Sequence, residues 1–163
     1  MLDEVTRFFQ RRHFDEQLRL RLLEAERNKR RLAVILVDVD GIARVNERWG
    51  VATGDAIMVG FDRRVAASLS PDDVFAHHDG DRLAIIRWAA SPDRAGAFAQ
   101  HLASRVSNAP FEIPGGRDAA FLTASIGVAM GGARREETLI VAAAEWALRR
   151  ARKGGGNRVC LAD

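Results

Sequence analysis

Two pairs of aspartates carry the first chemical signal in this chain of 163 residues. Asp38 and Asp40 flank one residue at the end of the apolar run Leu32-Ala33-Val34-Ile35-Leu36-Val37, and Asp79 and Asp81 flank Gly80 between two further apolar runs. Ligands commonly bind beyond the carboxyl ends of buried strands. One carboxylate of each pair is expected to face a shared site, and if the second pair lies beside the first run, Asp38 and Asp81 converge. Two convergent carboxylates suit Mg²⁺, which takes few protein ligands and keeps waters while it also binds phosphates. Metal-assisted phosphoryl or nucleotidyl transfer is the chemistry this would serve. The other reading of the same residues is a set of turn aspartates satisfied by nearby backbone donors, and spacing alone leaves both open.

Other candidate residues weigh less. His77 and His78 beside Asp79 and Asp81 would make a transition-metal cluster only if they shared a face, and adjacent strand residues point apart. His13 and His101 fall on helical stretches as surface residues, and Trp49, Trp88 and Trp146 read as packing residues. The run Asp38-Val39-Asp40-Gly41 also fits a haloacid-dehalogenase-type phosphatase. That family needs a downstream lysine and a further acidic pair after a longer intervening fold, whereas Lys153 lies only ten residues from the end.

The elements that must position these groups follow from periodicity. Leu2 to Arg31 reads as a helix, with Phe14, Leu18, Leu22 and Ala25 at helical spacing. The apolar run from Leu32 is too short for an independent helix and reads as a central strand. Thr53 is expected to cap a helix beginning near Gly54, with Ile57, Phe61, Val65 and Leu69 as its buried stripe and Ser70-Pro71-Asp72-Asp73 as its stop. Val74–His77 and Leu83–Trp88 read as strands of a hairpin around Asp79-Gly80. Pro92–Val106 reads as a helix and Leu122–Met130 as an alternating strand. A last helix over 136–153 ends in Gly154-Gly155-Gly156, and Asn157–Leu161 closes the chain as a strand. This order predicts an α+β fold, ferredoxin-like or nucleotidyl-cyclase-like, with a mostly antiparallel sheet of about five strands flanked by helices. Residues 1–163 are expected to form one domain, with 1–31 a helical entry and 32–163 the core.

Composition narrows the class. Apolar residues make up 47% and charged residues 29%, which excludes disordered and fibrous classes. Cys160 is the single cysteine, so no intrachain disulfide and no cysteine-based zinc site can form. No apolar run is long enough to span a membrane, and a cytoplasmic protein is the expectation. Lys29 and Lys153 are the only lysines, and the basic balance is arginine usage at a formal net charge of +3. No aromatic-basic interleaving suggests a base-stacking surface, so nucleic acid is not an expected partner. The run Arg149-Arg150-Ala151-Arg152-Lys153 is the local basic cluster that matters.

Several motifs, taken together, resemble the GGDEF family of diguanylate cyclases. They are Val37-Asp38-Val39-Asp40-Gly41-Ile42, then Val45-Asn46, Gly50 and Gly54-Asp55, then the hairpin His78-Asp79-Gly80-Asp81-Arg82-Leu83. Arg11-Arg12 and Phe14-Asp15-Glu16-Gln17-Leu18 agree near the start, as do Thr123-Ala124-Ser125-Ile126-Gly127-Val128-Ala129 and Gly155 with Asn157-Arg158-Val159 toward the end. The likeness spans essentially the whole chain in the right order. It implies one GTP per subunit, with two GTPs condensed to cyclic di-GMP across a dimer, assisted by Mg²⁺ or Mn²⁺. It implies Asp38 and the Val39 carbonyl as metal ligands and Asp81 as the signature's metal-binding acid. Asn46 and Asp55 correspond to the guanine-reading pair: an amide can pair with the purine edge, and a carboxylate accepts from N1 and the exocyclic amine. The amides near Gly41 and Ile42 open a helix as a phosphate cradle, Gly80 is the signature glycine that survives among the nucleotide-binding positions, and Arg152 stands where a lysine usually reaches the phosphates.

The departures from the family pattern are as informative. Asp79 replaces the signature's first glycine, adding bulk and negative charge beside a polyphosphate. Arg82 reverses the charge of the signature's glutamate. Gly156 stands in place of a phosphate-binding arginine, and Ala43 in place of a lysine. Ser70 replaces the arginine of the Arg-x-x-Asp product-inhibition site while Asp73 remains, so cyclic di-GMP is not expected to bind there. The resemblance therefore implies a degenerate GGDEF domain, catalytically impaired and acting as a GTP-binding or protein-interaction module. The alternative is an active cyclase using Asp38 and Asp81 with Mg²⁺. A homodimer or a signalling protein is the expected partner.

Overall fold

A computed structural model of the chain describes residues 4–116, 118–132 and 136–163. Helix α1 (Glu4–Asn28) buries Phe14, Leu18 and Ala25, as the helical spacing predicts. The expected helix start at Leu2 lies outside the described residues. Strand β1 (Leu32–Asp40) runs past the apolar stretch to include both aspartates. Gly41 (φ +83°) then turns the chain into the short helix α2 (Ile42–Trp49). Helix α3 (Val51–Ala66) follows after one residue, Gly50. Its start corrects the expected cap: Gly50 adopts φ +89° and reverses the chain at once, so Thr53 falls inside the first turn.

The hairpin consists of β2 (Val74–Asp79) and β3 (Arg82–Trp88), which shortens the connection to Gly80-Asp81. Gly80 takes φ +59°, and the register shifts between His77 and Asp79. Helix α4 (Pro92–Ser107) is capped by the Ser91 hydroxyl, which accepts from the Arg94 amide, with Pro92 in the first turn. A small ribbon of β4 (Phe111–Glu112) and β5 (Ala119–Ala120) is an element that periodicity misses, since two residues carry no period. Strand β6 (Thr123–Gly131), helix α5 (Glu137–Lys153) and strand β7 (Arg158–Leu161) complete the chain.

The main sheet has five strands in the order β2-β3-β1-β6-β7. β1 is antiparallel to β3 and β6, β2 is antiparallel to β3, and β7 runs parallel to β6. The fold is thus α+β with a mostly antiparallel sheet, as expected. Alternation along β1 splits the core into two layers. Ala33, Ile35, Val37 and Val39 pack with α3 and α4, whereas Leu32, Val34 and Leu36 pack with α1 and α5. Trp49 and Trp88 pack against these layers. Trp146 departs from the packing expectation: it is 62% exposed, with the Arg149 guanidinium 4.9 Å from its ring centroid.

His78 is buried at the outer end of this architecture, edge-on to Phe14 with ring centroids 5.1 Å apart. Its Nδ1 is buried without a hydrogen-bond partner, and Nε2 lies 3.7 Å from Asp15 Oδ1. Burial, reinforced by the charge of Arg11, holds its pKa below the ordinary 6.5, while Asp15, Glu145 and Asp79 oppose the shift. The fold therefore favours the neutral ring, and the stability this contributes is present above pH 6.5 and is lost as pH falls through the lower folded-state value. We expect the urea midpoint to drop on acidification from neutral pH and His78→Phe to flatten that part of the profile. An unchanged slope in the variant would assign the acid sensitivity to other groups.

Candidate functional site

Most of the sequence-predicted residues gather at one end of the sheet, where β1 ends, the β2–β3 hairpin turns and α5 terminates, while Ser70 and Asp73 lie at the opposite end near Arg87. Asp38 and Asp40 are two residues apart on one strand, so both side chains project to the α5 face, which they share with Val34 and Leu36. The expectation that only one carboxylate of the pair faces the site is thereby corrected, because a strand has a period of two.

The two carboxylates are nonetheless used differently. Asp40 accepts from Thr123 Oγ1 and Ser125 Oγ, each at 2.7 Å, and from the Asn157 amide at 2.8 Å. It ties β1, β6 and the start of β7 together, through distant hydroxyls and one distant amide rather than the nearby backbone donors of the turn-aspartate reading. Asp38 Oδ2 accepts from Arg152 Nη1 at 2.9 Å. Burial pushes the Asp38 pKa up, against the opposing pull of the Arg152 and Arg82 guanidiniums.

Register decides which hairpin residue meets Asp38. Val37 pairs with Leu83 in the antiparallel β1–β3 ladder, so the next position outward sets Asp38 across from Arg82. Asp81, in the turn, lines a hollow of about 460 Å³ with Gln10, Asp55, Asp62 and His77. The first β3 residue, Arg82, is the hairpin side chain that stands across from Asp38. Asp79, Arg82, Glu145, Arg149, Arg152 and Lys153 line a second cavity of about 310 Å³ on the α5 face. Glu145 is the member that sequence reasoning misses, because a glutamate on an exposed helix face carries no signal of its own.

The remaining candidates are placed as follows. Asn46 sits directly over Gly54: a Cβ there would lie 1.7 Å from Asn46 Oδ1. The next residue, Asp55, faces the 460 Å³ hollow. Gly41 and Ile42 open α2, whose first amides have no partner within the helix. Ala43 lines a separate hollow with Arg44, Trp49 and Phe121. Gly156 adopts φ +73°, and a Cβ there would meet the Asp40 carboxylate at 3.0 Å, so an arginine at this position would be strained and crowded. Asp73 Oδ2 accepts from the Ser70 amide at 2.7 Å and from Arg87 Nη1 at 2.6 Å. The cation that position 70 lacks is thus supplied from β3. His77 Nε2 lies 2.9 Å from Asp62 Oδ2, and His78 faces the opposite layer, so the two histidines point apart as expected.

The donors at this edge do not fit a divalent metal. Asp38 is already paired with one guanidinium and faces another, and Asp40 is engaged by three donors. Among the described residues no group of three or more His, Cys, Asp or Glu side chains could hold a metal ion.

The fold and this arrangement are those of a nucleotide-cyclase-like domain. The family described as "Diguanylate cyclase, GGDEF domain" matches residues 1–158, and the chain belongs to that family. Its members typically use a divalent metal. The chain is 32% identical over 162 residues to the bifunctional diguanylate cyclase/cyclic di-GMP phosphodiesterase MucR of Pseudomonas aeruginosa, covering 98% of this chain and 23% of that protein. It is 29% identical to diguanylate cyclase DosC of Escherichia coli, covering 98% of this chain and 35% of that protein. The chain therefore spans about a quarter to a third of the length of these relatives. The GGDEF domain of DgcB from Caulobacter crescentus, solved in complex with c-di-GMP, superposes with a TM-score of 0.87 at 22% identity, covering 93% of this chain and 89% of that one. No helix among the described residues is long and apolar enough to cross a membrane.

Proposed function

We propose that this chain is a catalytically silent GGDEF domain of cyclic di-GMP signalling that binds GTP as a regulatory module. The observation that carries this reading is Arg82 across from Asp38, where a metal-assisted step would need an acid. Asp79, an acid for a glycine, is a second change in the same hairpin, and Gly156 at φ +73° leaves no room for the missing arginine. The guanine end of the site is intact by residue type, with Asn46 over Gly54 and Asp55 facing the hollow. Position 70 is Ser rather than the arginine of an Arg-x-x-Asp clamp and Arg87 is spent on Asp73, so cyclic di-GMP is not expected there. A second copy of the chain or a signalling protein is the partner such a module would regulate.

The test is product formation. Purified protein incubated with GTP and Mg²⁺ or Mn²⁺ is expected to yield no cyclic di-GMP by chromatography. The double variant Asp79→Gly with Arg82→Glu is expected to gain little, because Ala43 and Gly156 remain. Product from the unaltered chain would establish the active cyclase instead, and robust turnover in the double variant would show that the hairpin alone limits it.

A further inference from the structure

We propose that Arg82 takes the place of a divalent cation, making the cavity beside Asp38 a metal-independent oligophosphate site. This rests on the GTP reading only for the guanosine end of the ligand. Four cationic side chains, Arg82, Arg149, Arg152 and Lys153, line the 310 Å³ cavity against two acids, Asp79 and Glu145. Asp38 lies behind them, already paired with Arg152 at 2.9 Å. A divalent cation arriving at Asp38 would meet the like charge of two guanidiniums, Arg152 and Arg82.

An anion meets the opposite field. Guanidinium groups present a planar fork of donors that matches phosphate oxygens, and they stay charged at any physiological pH. Arg82 is held loosely: its buried Nε has no hydrogen-bond partner. Its Nη1 is 3.8 Å from Glu145 Oε1, a loose contact that orients the group without saturating it. The charge a metal would bring to a polyphosphate is thus built into the chain.

Calorimetry with GTP and with sodium tripolyphosphate, each in EDTA and in Mg²⁺, tests this. Mg²⁺ is expected to leave either dissociation constant of the unaltered chain within about threefold. Arg82→Gln should weaken both anions in EDTA by at least about tenfold, and Arg82→Glu should do so by more. Titration of nucleotide-free protein with Mn²⁺, followed by electron paramagnetic resonance, should show no saturable site in the unaltered chain and one in Arg82→Glu. GTP binding that requires Mg²⁺, or a saturable Mn²⁺ site in the unaltered chain, would overturn the proposal and leave the GTP reading standing. Tripolyphosphate binding in EDTA with no gain from the guanosine end would support the proposal and defeat the GTP reading. Failure of both anions to bind in EDTA would overturn the proposal whatever Mg²⁺ does.

Discussion

Gly127→Ala is expected to destabilise the domain by about 3 kcal/mol or more, lowering the melting temperature by roughly 6–12 °C. Gly127 lies in the middle of β6, paired with Leu36 of β1 and Cys160 of β7. A Cβ there would come within 2.3 Å of both Ala144 O and Leu148 N and within 2.8 Å of Leu148 Cα. These are backbone atoms of α5, so no side-chain rotation relieves the clash, and the helix must lift from the sheet. The same helix carries Glu145, Arg149, Arg152 and Lys153 into the cavity, so lifting it also displaces the site. Gly60→Ala is the matched control. Its nearest neighbour would be the Phe111 ring at 3.6 Å, and alanine in a helix interior is expected to add about 0.5–1 kcal/mol. Equal stability of Gly127→Ala and the unaltered protein would mean that α5 does not seat on β6 in this way.

The double variant Asn46→Ala with Asp55→Ala is expected to weaken GTP binding by at least about 100-fold. A hydrogen bond to a charged group contributes roughly 1.5–3 kcal/mol and a neutral one about 1, and each 1.4 kcal/mol is tenfold. The two residues come from different helices, and the glycine hinge at position 50 folds those helices together. Asn46 can lie over α3 only because position 54 has no side chain, which makes Gly54 the positioning residue for the pair. Calorimetry with GTP and ATP checks the assignment: GTP affinity should fall toward that for ATP. Unchanged GTP binding in the double variant would place the guanine elsewhere.

Most of the fold is legible in local pattern. Helical spacing from Phe14 to Ala25, the apolar run into Asp38, the Asp-Gly turn and the glycines after Lys153 each report on a few neighbouring residues, and short-range sterics and burial decide them. The α3 start misleads because Thr53 has the side chain of a cap, while the turn is made by the backbone of Gly50. The β4–β5 ribbon is invisible for want of a period.

The candidate site divides along the same line. The residue types at 38, 46, 55 and 81 carry the resemblance to the family, and those at 79 and 82 are departures from its signature, all legible in the sequence. Which of them meet is a matter of register between strands that lie far apart in the chain, set by the fit of whole layers rather than by local preference. Tertiary structure alone set Arg82, not Asp81, across from Asp38, gave Asp73 to Arg87, and brought α5 close enough for Arg152 to reach the strand end. A change of one residue in register would have put an acid where the guanidinium now stands.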